Sequence, residues 1–157
     1  MHPTARFRQT LQVIGAWLHA PDEAPAREHL RPAEYALFQR MSRAEKAHHL
    51  RVYHDLRSNG YTHPALLTAA LLHDVGKTRY RFMLPHKIAV VLAKTLLPSL
   101  FAKWSQRAPG GWETPFVLSA QHPDWSAELC ENISSDPVSI ELIRRHQERL
   151  MHAPGTE

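Results

Sequence analysis

A histidine and an aspartate stand side by side where a strongly apolar segment of the chain ends. Leu66, Ala69 and Ala70 lie seven, four and three residues before His73, so the helical face that carries His73 is apolar. An ionised Asp74 that is buried without a partner costs several kcal/mol, so this side chain should meet a cation. The partial negative charge of a helix C-terminus also favours a positive ion there. Together these residue types indicate a metal site.

The same pair has a purely structural interpretation. In this interpretation His73 caps the end of the helix, and Asp74 pairs with Lys77 or with an arginine. Structural pairing of this kind is common for an isolated histidine and aspartate. The positions of the other histidines therefore have to decide between the two interpretations.

The chain contains 12 histidines, and imidazole is both the commonest metal ligand and the usual acid–base group near pH 7. His48 and His49 lie in the predicted helix before the apolar segment. His122 precedes a proline at a predicted helix start, and His146 lies in the last predicted helix. Imidazoles combined with a carboxylate suit Mn, Fe, Ni or Zn, and an octahedral site left open to water suits hydrolysis.

The elements that must position these groups are predicted to be helices. The spacing of apolar residues predicts a helix over 7–18, and Pro32 opens a short one. Ser42 and Glu45 have the capping-box spacing and start a helix that runs to about residue 56. The segment Ala65–Val75 is apolar almost all round, which predicts the central buried helix.

The second half of the chain is also predicted to be helical. Its predicted helices or helical stretches are Ile88–Leu97, Leu100–Trp104, a short one from Thr114 through Leu118, Pro123–Cys130, and a last one opened by Asp136 and Pro137. We therefore predict an all-α fold, a single helical bundle of about six to eight helices.

Composition narrows the class of protein. The chain has 157 residues, of which 43% are hydrophobic and 22% charged, as in a folded soluble domain and unlike a disordered chain. A single cysteine, Cys130, excludes a disulfide framework and a multi-cysteine zinc site, and it favours a reducing compartment, the cytoplasm. No apolar run reaches the length of a membrane-spanning helix. The formal charge of +4 suits an anionic partner, but no basic stripe points to nucleic acid.

Residues 84–104 mix lysines with many aliphatic side chains. Lys87, Lys94 and Lys103 interrupt this otherwise apolar stretch. The segment could pack on the body of the protein, form a contact between two copies, or lie on a membrane surface. We favour packing or a dimer contact.

The segment Ala70–Lys77, with the sequence ALLHDVGK, resembles the signature of the HD superfamily of metal-dependent phosphohydrolases. Upstream, His48 followed four residues later by Val52 is similar to the first metal-binding histidine of that family. This phase selects His48 over His49, which is then expected at the surface or behind the metal ligands.

Two downstream elements are similar to the di-iron branches of the HD superfamily, which include cyclic-dinucleotide phosphodiesterases and diadenosine tetraphosphate hydrolases. Residues 121–123 with 127–129 resemble the His-Pro … Gly-Ala-Glu element, and residues 143–146 resemble the next histidine element. The resemblance covers roughly residues 42–149, so that 1–157 forms one HD-like domain with residues 1–41 appended to its core.

The resemblance implies a reaction and a set of site residues. The reaction is hydrolysis of a nucleotide or another phosphate ester by a water that one or two divalent transition-metal ions activate. The implied metal ligands are His48, His73, Asp74, His122 and His146. The implied catalytic residues are Asp74 and Lys77. The implied substrate-binding residues, which would pair with phosphate, are Lys77, Arg79, Arg81, Arg144 and Arg145.

A second hypothesis is a degenerate HD domain without catalytic activity. The family carries a late metal-binding aspartate, and no aspartate follows His146 in this sequence. Gln147 stands where di-iron relatives often carry a histidine or a threonine. Such a domain would bind a nucleotide in the remaining pocket, or a protein partner through residues 84–104.

Overall fold

Helices form the regular structure of the protein in the computed structural model, which describes residues 20–80 and 83–148. This part of the chain contains eight α-helices, one 3-10 helix and no strand. In chain order these are α1 (Ala24–His29), α2 (Pro32–Gln39), α3 (Arg43–Ser58), α4 (Pro64–Leu72), the 3-10 helix (Val75–Arg79), α5 (Leu84–Leu96), α6 (Pro98–Ser105), α7 (Thr114–Glu131) and α8 (Pro137–Arg145). The predicted all-α bundle of six to eight helices is confirmed.

Two predicted helix starts are capped as the sequence indicates. The Ser42 hydroxyl accepts the amide N–H of Glu45 at 3.4 Å, and the Glu45 carboxylate accepts the amide N–H of Ser42 at 2.8 Å. The Asp136 carboxylate accepts the amides of Val138 and Ser139. These bonds satisfy amide donors that a helix leaves unpaired in its first turn. They fix where α3 and α8 begin, and both helices carry candidate histidines.

Helix α4 is the buried axis of the bundle. Seven of its nine residues are buried, and it packs against α1, α2, α3 and α8. Leu71 and Leu72, at its C-terminal end, have no exposed surface. The predicted central helix is therefore present, and its end lies inside the protein, where the chain turns into the 3-10 helix.

The 3-10 helix lies very close to α7, and a glycine makes this approach possible. The amide of Gly76 donates to the Ser126 hydroxyl at 2.8 Å. A Cβ atom at position 76 would lie 2.5 Å from the carbonyl oxygen of His122 and 2.7 Å from the amide nitrogen of Ser126. Any larger residue would push α7 away, so Gly76 sets the distance between His122 and the end of α4.

Helix α7 differs from the sequence-based expectation. Two helices were expected, the second beginning at Pro123, but a single helix of 18 residues runs through that position. An internal proline lacks the amide donor and costs about 3 kcal/mol. Buried side chains before and after it, among them Val117 and Cys130, pack on the rest of the bundle as one continuous face. This packing outweighs the local cost and holds His122 in the middle of the helix.

Helices α5 and α6 pack on α7 around a separate, small core. Val90, Ala93 and Phe116 form it, with Phe101 and Trp104 packed against them. Among the described residues, no helix combines the length and the apolar character that crossing a membrane requires. The helix predicted over residues 7–18 lies outside the described residues, as does Arg81.

Candidate metal centre

Four helices bring the predicted ligands to one place. His73 is the residue at which α4 ends, and Asp74 follows it. His48 projects from α3, His122 from the middle of α7, and His146 from the end of α8. These five residues form two groups whose potential ligand atoms lie within 4.8 Å of one another in each group.

The first group consists of Asp74, His122 and His146. Nε2 of His122 lies 3.0 Å from Oδ1 of Asp74, and Nε2 of His146 lies 3.6 Å from the same oxygen. The His122 side chain is 1% exposed and the Asp74 side chain 12% exposed. The His146 side chain is 19% exposed, so this group lies between α7, α8 and the end of α4 with only His122 fully enclosed.

The second group consists of His48, His73 and Asp74. Nε2 of His73 lies 3.7 Å from Oδ2 of Asp74, and the ring centroids of His48 and His73 are 5.7 Å apart. Asp74 thus belongs to both groups and turns a different oxygen to each. Asp74 would therefore be a ligand of a metal ion bound at either group.

The backbone fixes the protonation of three of these imidazoles. Nδ1 of His73 donates to the carbonyl of Ala70 at 3.0 Å, and Nδ1 of His122 donates to the carbonyl of Leu118 at 3.0 Å. Nδ1 of His146 makes the same kind of bond within its own helix. A carbonyl oxygen can only accept, so Nδ1 carries the proton and a neutral ring presents a lone pair at Nε2. Metal-binding histidines are oriented in this way.

Burial favours the neutral form of His73 and His122, whereas the neighbours of Asp74 keep its carboxylate charged. Burial lowers the pKa of His73 to about 4 although Asp74 opposes the shift, and it also lowers the pKa of His122. Burial alone would raise the pKa of Asp74, but its contacts with His122 and His146 and the charge of Lys77 hold this pKa well below its usual range. Lone pairs of neutral imidazoles thus face a carboxylate, and a cation between them satisfies both. The buried His73, Asp74, His122 and His146 could hold a metal ion.

Contacts expected from the structural interpretation are present as well. His73 caps α4, and Nζ of Lys77 lies 2.6 Å from Oδ2 of Asp74. The Gln147 amide lies 3.2 Å from Nε2 of His122, within reach for donation. These two contacts neutralise the carboxylate and occupy one imidazole lone pair. These contacts do not explain why His73 and His146 also converge on the same carboxylate.

His49 occupies a place that the sequence did not specify. It was expected at the surface or behind the ligands, and it lies behind them, fully buried, with its ring centroid 4.4 Å from that of His73. Nδ1 donates to the carbonyl of Glu45, and the buried Nε2 has no hydrogen-bond partner. Burial lowers the pKa of His49 to about 3. The only signal in the sequence for this place of His49 was that it directly follows His48, a predicted metal ligand.

All the predicted phosphate-binding arginines that the structure describes form ion pairs with acidic side chains. Arg79 pairs with Glu128 at 2.9 Å and lies over the ring of Trp125. Arg144 and Arg145 each form an ion pair with a glutamate at 2.7 Å. A role for these arginines in substrate binding stays a prediction. Lys77, in contrast, directly contacts one of the candidate metal ligands.

A cleft of about 370 Å³ opens beside Lys77. Its lining residues come from the α2–α3 junction, the 3-10 helix and the start of α5; they are Arg40, Met41, Ser42, Glu45, Lys77, Thr78, Tyr80 and Met83. The cleft thus offers two basic groups, one carboxylate, an aromatic ring and two thioethers beside Lys77. A small anionic molecule with an apolar part would fit this lining.

Comparisons of the chain with protein-family models, with curated proteins and with solved structures find no match.

Proposed function

We propose that this protein is a metal-dependent phosphohydrolase of the HD type, which acts on a nucleotide or another phosphate ester. The observation that carries the proposal is the convergence of His73, His122 and His146 on Asp74. Each of these imidazoles is anchored through Nδ1 and turns Nε2 towards the carboxylate. His48 completes a second group on the same carboxylate.

The donor set and the cleft suit this chemistry. A divalent transition metal, when bound, supplies a Lewis acid that polarises a phosphoryl oxygen and activates water. Asp74 and the imidazoles would hold it, since mixed nitrogen and oxygen donors suit Mn, Fe, Ni and Zn. Lys77, between Asp74 and the cleft, is placed to neutralise a phosphate.

The test combines metal analysis with activity in the purified protein. We expect one or two equivalents of a transition metal and hydrolysis across part of a panel of nucleotides and phosphate esters. His73→Ala should lose both the metal and the activity. The matched control is His54→Ala, which removes an exposed imidazole from the same helix as His48 and should change neither. Wild-type protein that binds no metal and hydrolyses nothing would refute the proposal.

A non-catalytic domain is the second candidate, and the contacts of Lys77 and Gln147 favour it. Both side chains already engage members of the cluster, Asp74 and His122 respectively. If they replace a metal, Lys77→Gln should leave an unpaired carboxylate and destabilise the protein, and added metal should not restore the loss. If the metal proposal holds, added metal should raise the melting temperature of Lys77→Gln above that of the metal-free variant.

A further inference from the structure

Helices α5 and α6 turn a row of aliphatic side chains to solvent. Val90 and Ala93 of α5 face the small core, whereas the residues on the opposite side are exposed. In the described part of the chain, half of the large hydrophobic residues that are exposed belong to this one region; they are Ile88, Val91, Leu92, Leu96, Leu97 and Leu100. We call these six residues the α5–α6 face. Exposed aliphatic residues concentrated on two consecutive helices are typical of an interaction site.

The segment of the sequence that carries the α5–α6 face contains basic residues but no acidic ones. From Lys77 to Trp112, both included, the sequence contains seven lysines and arginines and no aspartate or glutamate. The rest of the chain carries twelve basic and fifteen acidic residues. Because the basic residues at the two ends of the segment pair with carboxylates outside it, the positive charge at the face comes from the lysines of α5 and α6. The partner of this face should therefore be negatively charged.

The lysines lie beside the aliphatic row. Lys87 and Lys94 are seven residues apart and so share one flank of α5, and Lys103 is exposed on α6. The ammonium group of Lys94 lies 5.1 Å from the ring centroid of Phe101. Long stems on a flank can lie along an apolar layer while their charged ends reach a polar one.

We propose that the α5–α6 face binds the surface of an anionic lipid bilayer. A second copy of the chain would bring two strongly basic regions together, which disfavours a dimer through this face. A nucleic acid would match the charge but would leave the aliphatic row in water. Helices of 13 and 8 residues are too short to span a bilayer and suit an orientation in the plane of the interface.

The test uses the full chain with phosphatidylcholine vesicles that contain or lack phosphatidylserine. We expect co-sedimentation only with the anionic vesicles, and less of it as the salt concentration rises. Leu92→Ser should reduce binding by about tenfold, because one buried leucine is lost from the interface. The matched control is Val138→Ser, since Val138 on α8 is exposed to the same extent, 52%, and should bind as the wild type does.

A second measurement places the face itself in the lipid. The only native cysteine, Cys130, is buried, so an environment-sensitive dye can be attached selectively to Leu92→Cys or to Val138→Cys. Only the dye at position 92 should shift its emission to the blue with anionic vesicles. Equal shifts at both positions, a dimer that Leu92→Ser dissociates, or binding to nucleic acid instead of vesicles would each overturn the proposal.

Discussion

The bundle around α4 and the α5–α6 region both depart from the usual placement of polar residues outside and apolar residues inside, but they do so in opposite directions. Around α4 a carboxylate and several imidazoles lie inside the protein, whereas on α5 and α6 aliphatic side chains lie outside. Buried polar groups and exposed apolar areas are the two departures that carry information, because neither is favourable without a partner. The first calls for a cation and the second for an apolar, negatively charged surface. The two regions thus point to different partners.

Removing the shared carboxylate should have the largest effect. Asp74→Asn affects both ligand groups, so we expect metal affinity to fall by about 100-fold or more and any hydrolysis to be lost. His146→Ala and His48→Ala each affect one group and should lower the number of bound ions instead. Titration calorimetry and elemental analysis measure both quantities. Unchanged metal content in Asp74→Asn would show that the two groups do not bind through this residue.

Truncating one leucine in each region tests whether the leucine contributes to stability by being packed inside the protein. Leu72→Ala, at the buried end of α4, should lower the free energy of unfolding by about 2–5 kcal/mol. Leu92→Ala, on the α5–α6 face, should change it by less than about 0.5 kcal/mol. Urea denaturation measures both values. A large loss in Leu92→Ala would mean that the face is packed in solution.

A substitution at Gly76 tests how closely the elements of the candidate metal centre must approach one another. Gly76→Ala places a methyl group against the backbone of α7, so we expect a loss of about 1–3 kcal/mol in the free energy of unfolding and weaker metal binding. Gly111→Ala is the control, because its new methyl group would meet only the end of the Glu113 side chain and no backbone atom. Similar losses in both variants would show that the approach of the 3-10 helix to α7 is not the cause.

Among the variants that should lose stability, the smallest loss concerns a buried carboxylate away from the candidate metal centre. Burial would raise the pKa of Glu34, but hydrogen bonds from Arg31 and Ser135 outweigh it and hold this pKa below its usual value. Glu34→Gln should therefore cost about 1 kcal/mol at pH 7. The difference should persist above pH 4.5, the ordinary pKa of a glutamate, and disappear as the pH falls through the lowered pKa. Urea denaturation at several pH values measures it.

Local signals in the sequence predicted the helices that carry the histidines, but not every boundary. The Ser42–Glu45 pair and Asp136 act within one turn, so their spacing alone identifies two helix starts. Pro123 was expected to begin a helix, since proline is common at the first helical position. In the structure, packing along the whole of α7 overrides that preference, and packing of this kind depends on residues that are distant in sequence.

The candidate site was predictable to a similar degree. The residue types of His73 and Asp74 at the end of an apolar helix indicated a cation site, and the resemblance to the HD family selected the other histidines. The partners of the long side chains were not predictable, because Arg144 and Arg145 reach whichever carboxylates lie nearest in space. The burial of His49 was equally unpredictable, because its neighbour His48 is also a histidine and residue type does not distinguish the two.

The wide separation of the five candidate ligands along the chain affects more than reactivity. Residues from 48 to 146 meet at one carboxylate, so an ion held there would connect α3, α4, α7 and α8 across most of the polypeptide. A ligand that binds only the native state shifts the folding equilibrium in proportion to its free concentration. The melting temperature would then depend on the concentration of available metal. Chelators would destabilise the whole bundle even in the absence of substrate.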